Sequence, residues 1–107
     1  MDTRALAVFL SVADTLNFSR SGELLHMSVS AVSRTIRRLE DELGQPLLER
    51  DNRSVRLTGA GREFRDYARH SLADWQRLAE DMLALHRAHG ADAAPLIRDL
   101  VDRRHLS

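Results

Sequence analysis

The chain has 107 residues, 43% of them hydrophobic, which is enough for one small domain with an appendage. Its 16 basic residues, all arginine, balance its 16 acidic residues, so the net charge gives no support for nucleic-acid binding and any such function needs a local concentration of charge. The absence of cysteine excludes a disulfide framework, a thiolate nucleophile and a cysteine-ligated zinc site.

The first predicted element is an amphipathic helix from Thr3 to Thr15. Its apolar residues recur at helical intervals and are expected to face a core: Leu6, Phe9, Leu10, Ala13 and Leu16. Charged residues interrupt this segment, so it resembles neither a signal peptide nor a membrane span. No other apolar run approaches the roughly 20 residues that a span needs.

Residues 17–43 predict two short helices joined by a tight turn. Ser19 is the expected amino-terminal cap of the first helix, whose buried face we expect to consist of Leu24 and Leu25. Ser28 ends the connection and is the expected cap of a second helix, which begins at the next residue. A turn of only a few residues is what a helix-turn-helix requires.

The second helix of this pair has two faces of opposite chemistry. One face is an apolar stripe made of Val32, Ile36, Leu39 and Leu43. The other carries hydroxyl and guanidinium groups, those of Ser30, Ser33, Arg34 and Arg37. Between Ser28 and Arg38 there is no carboxylate. This favours a face that meets phosphates and base edges over the alternative, an ordinary helical hairpin with a solvated polar face.

Gly44 and Pro46 end this helix, because glycine favours a helix carboxyl terminus and proline prevents its resumption. The alternating pattern that follows predicts a short β-hairpin, with strands at 47–50 and 55–57 and a polar turn at 51–54. A two-stranded ribbon is marginal alone, so the hairpin must pack against the helices.

The predicted hairpin carries basic residues, with Arg53 at its tip and Arg50 and Arg56 on its strands. As a wing, it would touch the backbone or minor groove of DNA. The alternative is a solvent-exposed turn in which the arginines pair with Glu49 and Asp51. Taken alone, the hairpin pattern favours this alternative.

Thr58 is the expected cap of a long helix with no breaker until Gly90. At about 1.5 Å per residue, roughly thirty residues extend some 45 Å, more than a domain this small can cover. Two neighbouring heptad lines, with Leu72 widening the stripe beside them, supply the expected dimer contacts: Phe64, Ala68, Ser71, Leu72, Trp75, Leu78, Met82 and Leu85. We expect a second copy of the chain to cover this stripe. A helix folded back on its own domain is the alternative, and it is less favoured because Trp75 and Leu85 would lie beyond that domain's reach.

The last segment, residues 90–107, begins with the helix breakers Gly90 and Pro95. Later apolar residues at helical spacing predict a short carboxyl-terminal helix: Leu96, Ile97, Leu100 and Val101.

Nothing in the sequence predicts an enzyme. His86 and His89 share a helix face at i and i+3, but no third ligand stands at a matching spacing, so we expect no metal site. His70 and Ser71 are adjacent on a helix and therefore diverge by about 100°, which excludes a nucleophilic pair. We expect no cofactor.

With these elements placed, residues 1 to about 89 resemble the amino-terminal DNA-binding region and linker helix of LysR-type transcriptional regulators. The resemblance is carried by FLSVADTLNFSRSGELLHMSVSAVSRTIRRLEDELGQPLLER and by the following RSVRLTGAG. These match the family's helix-turn-helix, its L-G-x-x-L-x-x-R junction and its L-T-x-A-G helix start.

The resemblance implies a mainly α fold: a winged helix-turn-helix, with a three-helix core and a short β-hairpin wing, followed by a long dimerisation helix. Residues 1–58 would form the DNA-binding domain, 59–89 the linker helix and 90–107 a tail. Linker helices would pair antiparallel, a recognition helix would enter the major groove, and the wing would approach the minor groove. The expected DNA-binding residues are Ser28, Val29, Ser30, Ser33, Arg34, Arg37, Arg38, Arg50 and Arg53.

Two departures from the family pattern stand out. Many members have glutamine where this chain has Val29, so only an apolar contact such as one to a thymine methyl is available there, and direct readout depends on Arg34 and the serines. The resemblance also implies an effector-binding domain of about two hundred residues, far longer than this chain's remainder, and we expect this chain to lack it. The chain is either an excised piece or a naturally short protein, and we expect it to bind no small-molecule effector.

The expected function is that of a sequence-specific transcriptional regulator that binds promoter DNA as a homodimer. Arg34 would read a base edge, while Arg37, Arg38 and the serine hydroxyls would touch phosphates. The alternative is an interaction module that pairs with a full-length regulator through the long helix without recognising promoters itself. In either case we expect a bacterial cytoplasmic protein, associated in the first case with the nucleoid.

Overall fold

The chain folds into five helices and one β-hairpin in a computed structural model that describes residues 2–106, with the backbone alone for 105 and 106. In chain order the elements are α1 (Thr3–Thr15), α2 (Phe18–Leu25), α3 (Val29–Leu43), β1 (Leu48–Arg50), β2 (Val55–Leu57), α4 (Gly59–His89), a 3-10 turn (Gly90–Asp92) and α5 (Ala93–Leu106). The predicted order of helices and strands is confirmed. No helix within this described range is long and apolar enough to span a bilayer.

Helices α1, α2 and α3 pack pairwise around a single apolar core. Its buried residues are Val8, Phe9, Val12, Ala13, Val32, Ile36, Leu39, Leu47 and Leu48. Full burial of a large apolar side chain stabilises a fold by about 1.5–3 kcal/mol, so this cluster is what holds the three helices together. The predicted apolar stripe of α3 therefore faces inward, apart from its last member, Leu43, which is 39% exposed.

Two leucines that the sequence placed in the core are exposed instead. Leu16 is 41% exposed because α1 ends one residue earlier and Leu16 takes the left-handed conformation, with φ at 52°. Leu24 is 56% exposed, and only Leu25 packs partly against the core. On α1, Val8 and Val12 are buried in addition to Phe9, while Leu10, also predicted to face inward, is half-buried.

Small residues form the buried side of α2. A Cβ on Gly22 would lie 2.7 Å from the carbonyl oxygen of Met27, so only glycine fits this close approach. The neighbouring hydroxyl of Ser21 is fully buried, and its Oγ lies 3.0 Å from Oγ of Ser11 and 2.8 Å from Oγ1 of Thr15. These hydrogen bonds satisfy the buried hydroxyl.

Side-chain caps set where the helices begin. Asn17, and not Ser19 as predicted, caps α2, because the helix begins at Phe18 and Oδ1 of Asn17 accepts a hydrogen bond from the amide of Arg20 at 3.0 Å. The predicted cap of α3 is confirmed, since Oγ of Ser28 accepts from the amide of Ala31 at 3.0 Å. Gly44 ends α3 in the left-handed conformation, as predicted.

The hairpin pairs β1 and β2 antiparallel, with Leu48 opposite Leu57 and Arg50 opposite Val55. Leu47 attaches the hairpin to the start of α4, because the carbonyl oxygen of Leu47 accepts a hydrogen bond from the amide of Thr58 at 3.0 Å. Thr58 caps α4 as predicted, and its Oγ1 accepts from the amide of Gly61 at 2.9 Å.

The first compact unit of the chain runs to Leu72 and so includes the opening turns of α4. The ring of Phe64 packs edge-on against Phe9, with 5.2 Å between centroids, and Ala68 is fully buried. Nη2 of Arg69 lies 3.0 Å from Oδ1 of Asp14. These contacts explain why this part of α4 belongs with the helical core.

The second compact unit begins at Ala73 and consists of the last turns of α4, the 3-10 turn and α5. The predicted carboxyl-terminal helix is present. The guanidinium of Arg104 on α5 bridges two carboxylates of α4, with Nη1 2.7 Å from Asp74 and Nη2 2.9 Å from Asp81. Within this unit, α5 therefore lies beside α4.

Candidate nucleic-acid interface

The outward face of α3 is a row of polar and basic side chains. Ser30, Arg34, Arg37 and Arg38 are exposed, while Val32, Ile36 and Leu39 on the opposite side are buried. Because burial of the apolar side fixes the rotation of the helix, the basic side must face solvent. We call this row, from Ser28 to Arg38, the α3 ridge.

Within the part of the chain that the structure describes, ion pairs do not cancel the charge of the α3 ridge. Among residues 2–106, no carboxylate pairs with Arg34, Arg37 or Arg38. Arg34 and Arg38 also line a cleft between α1 and α3, together with Arg4, Asp2 and Glu42. The carboxylates of Asp2 and Glu42 therefore lie in the same cleft as Arg34 and Arg38, whereas Arg37 does not line this cleft.

The serines of the ridge already make hydrogen bonds within the chain. Oγ of Ser28 serves as the cap of α3, and Oγ of Ser33 accepts a hydrogen bond from Nη1 of Arg50 at 3.1 Å. A hydroxyl that accepts one hydrogen bond keeps its own proton for donation. Val29 is 47% exposed and presents an apolar surface at the start of the helix.

The tip of the hairpin is organised around Asp51. Its Oδ1 accepts hydrogen bonds from the amides of Arg53 at 2.8 Å and Ser54 at 2.7 Å. These backbone hydrogen bonds, first that of Arg53 and then that of Ser54, lower the pKa of the Asp51 carboxyl below its ordinary value. The turn is thereby fixed while the Arg53 side chain stays exposed.

The three arginines of the hairpin differ in their surroundings. Nη2 of Arg56 lies 3.4 Å from Oε2 of Glu49, so for Arg56 the alternative of a solvent-exposed ion pair holds. No carboxylate within the described residues pairs with Arg53. Arg50 instead places its guanidinium 4.3 Å from the ring centroid of Phe18, a contact that nothing in the local sequence indicated.

The side chains predicted to form a dimer contact are not equally available. In the first unit Ala68 is fully buried, so it has no surface left for a partner, and Phe64, Ser71 and Leu72 are half-buried. We therefore remove Ala68 from the predicted dimer contact.

In the second unit Trp75 is 53% exposed. A groove there is lined by Trp75, Leu78, Ala79, Met82, Leu83, His86 and Ile97. Leu85, the last of the predicted dimer residues, is half-buried.

The two histidines that share a face of α4, His86 and His89, are exposed. Among residues 2–104, whose side chains the structure describes, no three histidines, aspartates or glutamates lie close enough together to hold a metal ion.

The fold and the ridge define a class of protein, and comparison with known families assigns it. Residues 3–62 match the family model described as "Bacterial regulatory helix-turn-helix protein, lysR family". That match covers more than half of the chain, so the chain belongs to the lysR family of bacterial regulatory helix-turn-helix proteins. The predicted family and the predicted winged helix-turn-helix are both confirmed.

One similar relative is the HTH-type transcriptional activator IlvY of Salmonella typhimurium strain LT2. It is 50% identical over 78 residues, which are 73% of this chain and 26% of IlvY. The segment GQPLLERDNRSVRLT, which follows α3 and includes the hairpin, lies within these 78 residues. The chain spans about a quarter of the length of the curated relatives that it matches.

Two solved structures support the same assignment. The crystal structure of the "BenM_DBD/catB site 1 DNA complex" superposes with a TM-score of 0.78 at 31% identity, covering 85% of this chain and 98% of that one. The "CbnR_DBD-DNA complex" gives a TM-score of 0.75 at 36% identity, covering 78% of this chain and 97% of that one. Both of those proteins were solved together with DNA.

Proposed function

We propose that this chain is a sequence-specific DNA-binding transcriptional regulator that places α3 in a major groove. The observation that carries the proposal is the α3 ridge, where three arginines stand exposed with no carboxylate partner among residues 2–106. An α-helix fits the width of the major groove of B-DNA, and an exposed basic face on such a helix supplies the attraction to phosphate. The two DNA complexes of similar fold support this function.

We assign base reading to Arg34 and phosphate contacts to Arg37 and Arg38. A guanidinium reads guanine through two parallel hydrogen bonds to O6 and N7, and each such pair contributes about 1–3 kcal/mol of discrimination. Phosphate contacts give affinity and register without regard to sequence. The hydroxyls of Ser28, Ser30 and Ser33 donate hydrogen bonds to DNA. Val29 offers an apolar contact to a thymine methyl.

At the wing we assign a backbone or minor-groove contact to Arg53. Its side chain is exposed at a turn whose backbone Asp51 holds through two hydrogen bonds, so little ordering of the backbone is needed when it meets DNA. Arg56 is left out because it pairs with Glu49 on the neighbouring strand.

We further propose that the chain acts as a homodimer through α4. The side chains that support this are Trp75, which is 53% exposed, and the half-buried Leu78, Met82 and Leu85. Exposed aromatic side chains of this size are characteristic anchors of protein interfaces. An interaction module without DNA binding is less favoured, because the solved relatives named above are complexes with DNA.

The proposed function is tested by selecting duplexes from a random library and measuring their affinity across a salt series. We expect enriched sequences to bind at least tenfold more tightly than scrambled ones at moderate salt, and the logarithm of affinity to fall by about 0.9 per phosphate contact with the logarithm of salt concentration. Sedimentation equilibrium on the same sample is expected to give a dimer. Equal affinity for enriched and scrambled duplexes would overturn the proposal.

A further inference from the structure

We propose that Arg50 is a positioning residue that aims the Ser33 hydroxyl and joins the wing to the α3 ridge, and that it does not bind DNA itself. This inference rests on the proposed DNA-binding function and assigns a role within the same site. Sequence reasoning had placed Arg50 among the DNA contacts.

The first observation is that one side chain connects three elements. Arg50 lies at the end of β1, its Nη1 donates a hydrogen bond to Oγ of Ser33 on α3 at 3.1 Å, and its guanidinium carbon lies 4.3 Å from the ring centroid of Phe18 on α2. A cation over an aromatic face within about 6 Å is attracted by the ring quadrupole. The guanidinium therefore has a defined place against the helix-turn-helix.

The second observation is how the guanidinium is used. The guanidinium carbon of Arg50 lies over the Phe18 ring, and its Nη1 donates to Ser33. A bidentate contact to phosphate or guanine needs a free planar edge with two N–H groups in line. By contrast, no side-chain hydrogen bond, ion pair or ring contact engages Arg34 or Arg37 in the described part of the chain.

The hydrogen bond from Arg50 also constrains the Ser33 hydroxyl. A hydroxyl has one proton to donate and two lone pairs to accept with. Because Arg50 donates to Ser33, one lone pair is occupied and the hydroxyl proton is turned away from the guanidinium. In the major groove the acceptors available to such a donor are N7 and O6 of guanine, N7 of adenine and O4 of thymine. Arg50 thus restricts Ser33 to donating away from the guanidinium and confers a preference on the base pair that meets this hydroxyl.

Three variants test this role in the whole chain, with wild-type protein that binds its selected duplex as reference. Arg50→Lys keeps the charge but loses the planar fork, and Phe18→Leu removes the ring without changing any charge. Ser33→Ala removes the hydroxyl itself. We expect each to reduce discrimination at the same base pair by about 3- to 10-fold, the effect of one neutral hydrogen bond, and to leave the salt slope unchanged.

Coupling between the residues is the sharpest readout. The double variant Arg50→Lys with Ser33→Ala is expected to discriminate between bases at that position as well as Ser33→Ala alone. The reason is that both substitutions remove the same function, the base contact of the Ser33 hydroxyl. Arg37→Ala is the matched control for a phosphate contact, and it is expected to lower the salt slope by about 0.9 with discrimination preserved. Thermal unfolding of each variant identifies any that fails to fold.

The inference is overturned if Arg50→Lys and Phe18→Leu discriminate between base pairs as the wild type does. It is also overturned if a further variant, Arg50→Ala, lowers the salt slope and preserves discrimination, as Arg37→Ala is expected to do. Failure of the proposed function itself looks different, because the wild-type chain would then show no sequence preference from the start.

Discussion

The carboxylate of Glu40, near the end of α3, accepts a hydrogen bond from the amide of Leu47, with 2.8 Å between Oε2 and the amide nitrogen. The amide of Leu48 lies 3.4 Å from the same oxygen. Leu47 is only 1% exposed, so its amide has little access to water as an alternative partner. Glu40 thereby determines the path of the chain from the α3 ridge to the wing.

Replacing Glu40 with alanine should destabilise the fold by about 1–3 kcal/mol, the cost of leaving a buried donor without its acceptor. Asp41→Ala is the matched control, because it removes an exposed carboxylate from the next position of the same helix. Urea unfolding of both variants measures the difference. Equal midpoints for the two variants would show that the Glu40 contact contributes nothing.

Gly61, in the first turn of α4, should not tolerate a side chain. A Cβ there would overlap the carbonyl oxygen of Leu47, and neither backbone can move away without breaking the link between hairpin and helix. We expect Gly61→Ala to lower the free energy of unfolding by about 1–3 kcal/mol, as substitutions that overpack a site do. A Cβ on Gly59, two residues earlier, meets no atom within 4 Å. Gly59→Ala should therefore raise the free energy of unfolding by about 0.4–1 kcal/mol, because alanine reduces the entropy of the unfolded chain.

Thermal unfolding of these two glycine variants gives opposite shifts if the close approach is real. A stable Gly61→Ala protein with unchanged DNA affinity would contradict it.

Much of the fold was readable because its signals are local. A cap needs only its own residue and the three amides that follow, so Ser28 and Thr58 were predicted correctly. The burial of Leu16 was predicted wrongly because α1 ends one residue before it, and the burial of Leu24 because helical spacing does not say how closely a neighbouring helix approaches. In α2 that approach depends on the small size of Gly22 and not on any leucine.

Some features of the candidate site could likewise be predicted from the sequence, and others could not. The exposure of Arg34 and Arg37 follows from the apolar stripe on the other side of their helix, and the sequence contains that stripe. The contacts of Arg50 with Ser33 and Phe18 join residues far apart in the chain, and no periodicity reports them. They become visible only once the hairpin is placed against the helices.

The wing turn should loosen in acid. The pKa of Asp51 is lowered from 3.8 chiefly because its carboxylate accepts backbone hydrogen bonds from Arg53 and Ser54. A lowered folded-state pKa means that its contribution to stability is present above 3.8 and is lost as the pH falls through the folded value.

NMR titration of the amide protons of Arg53 and Ser54 measures this directly. We expect a midpoint below 3.8 in the wild type and no titration of this step in Asp51→Asn, which keeps an acceptor but has no acid. A midpoint at or above 3.8 would contradict the hydrogen-bonded carboxylate.

The ion pairs of Arg104 should control the order of α5. Arg104 is 23% exposed and bridges Asp74 and Asp81, so Arg104→Ala is expected to weaken the attachment of α5 by up to about 1 kcal/mol. Arg103→Ala is the control, since the Arg103 side chain is exposed and its Nε bonds only to a carbonyl of its own helix. Hydrogen exchange of the α5 amides should be several-fold faster in the first variant and unchanged in the second.

The central claim is that the α3 ridge reads DNA, and the most direct measurement is the affinity of Arg34→Ala for the selected duplex and for a scrambled one at fixed salt. The account predicts that the ratio of the two affinities falls by the equivalent of about 1–3 kcal/mol. It also predicts that Arg77→Ala, an exposed arginine on α4, leaves this ratio unchanged. Unchanged affinity of Arg34→Ala for both duplexes would contradict the account.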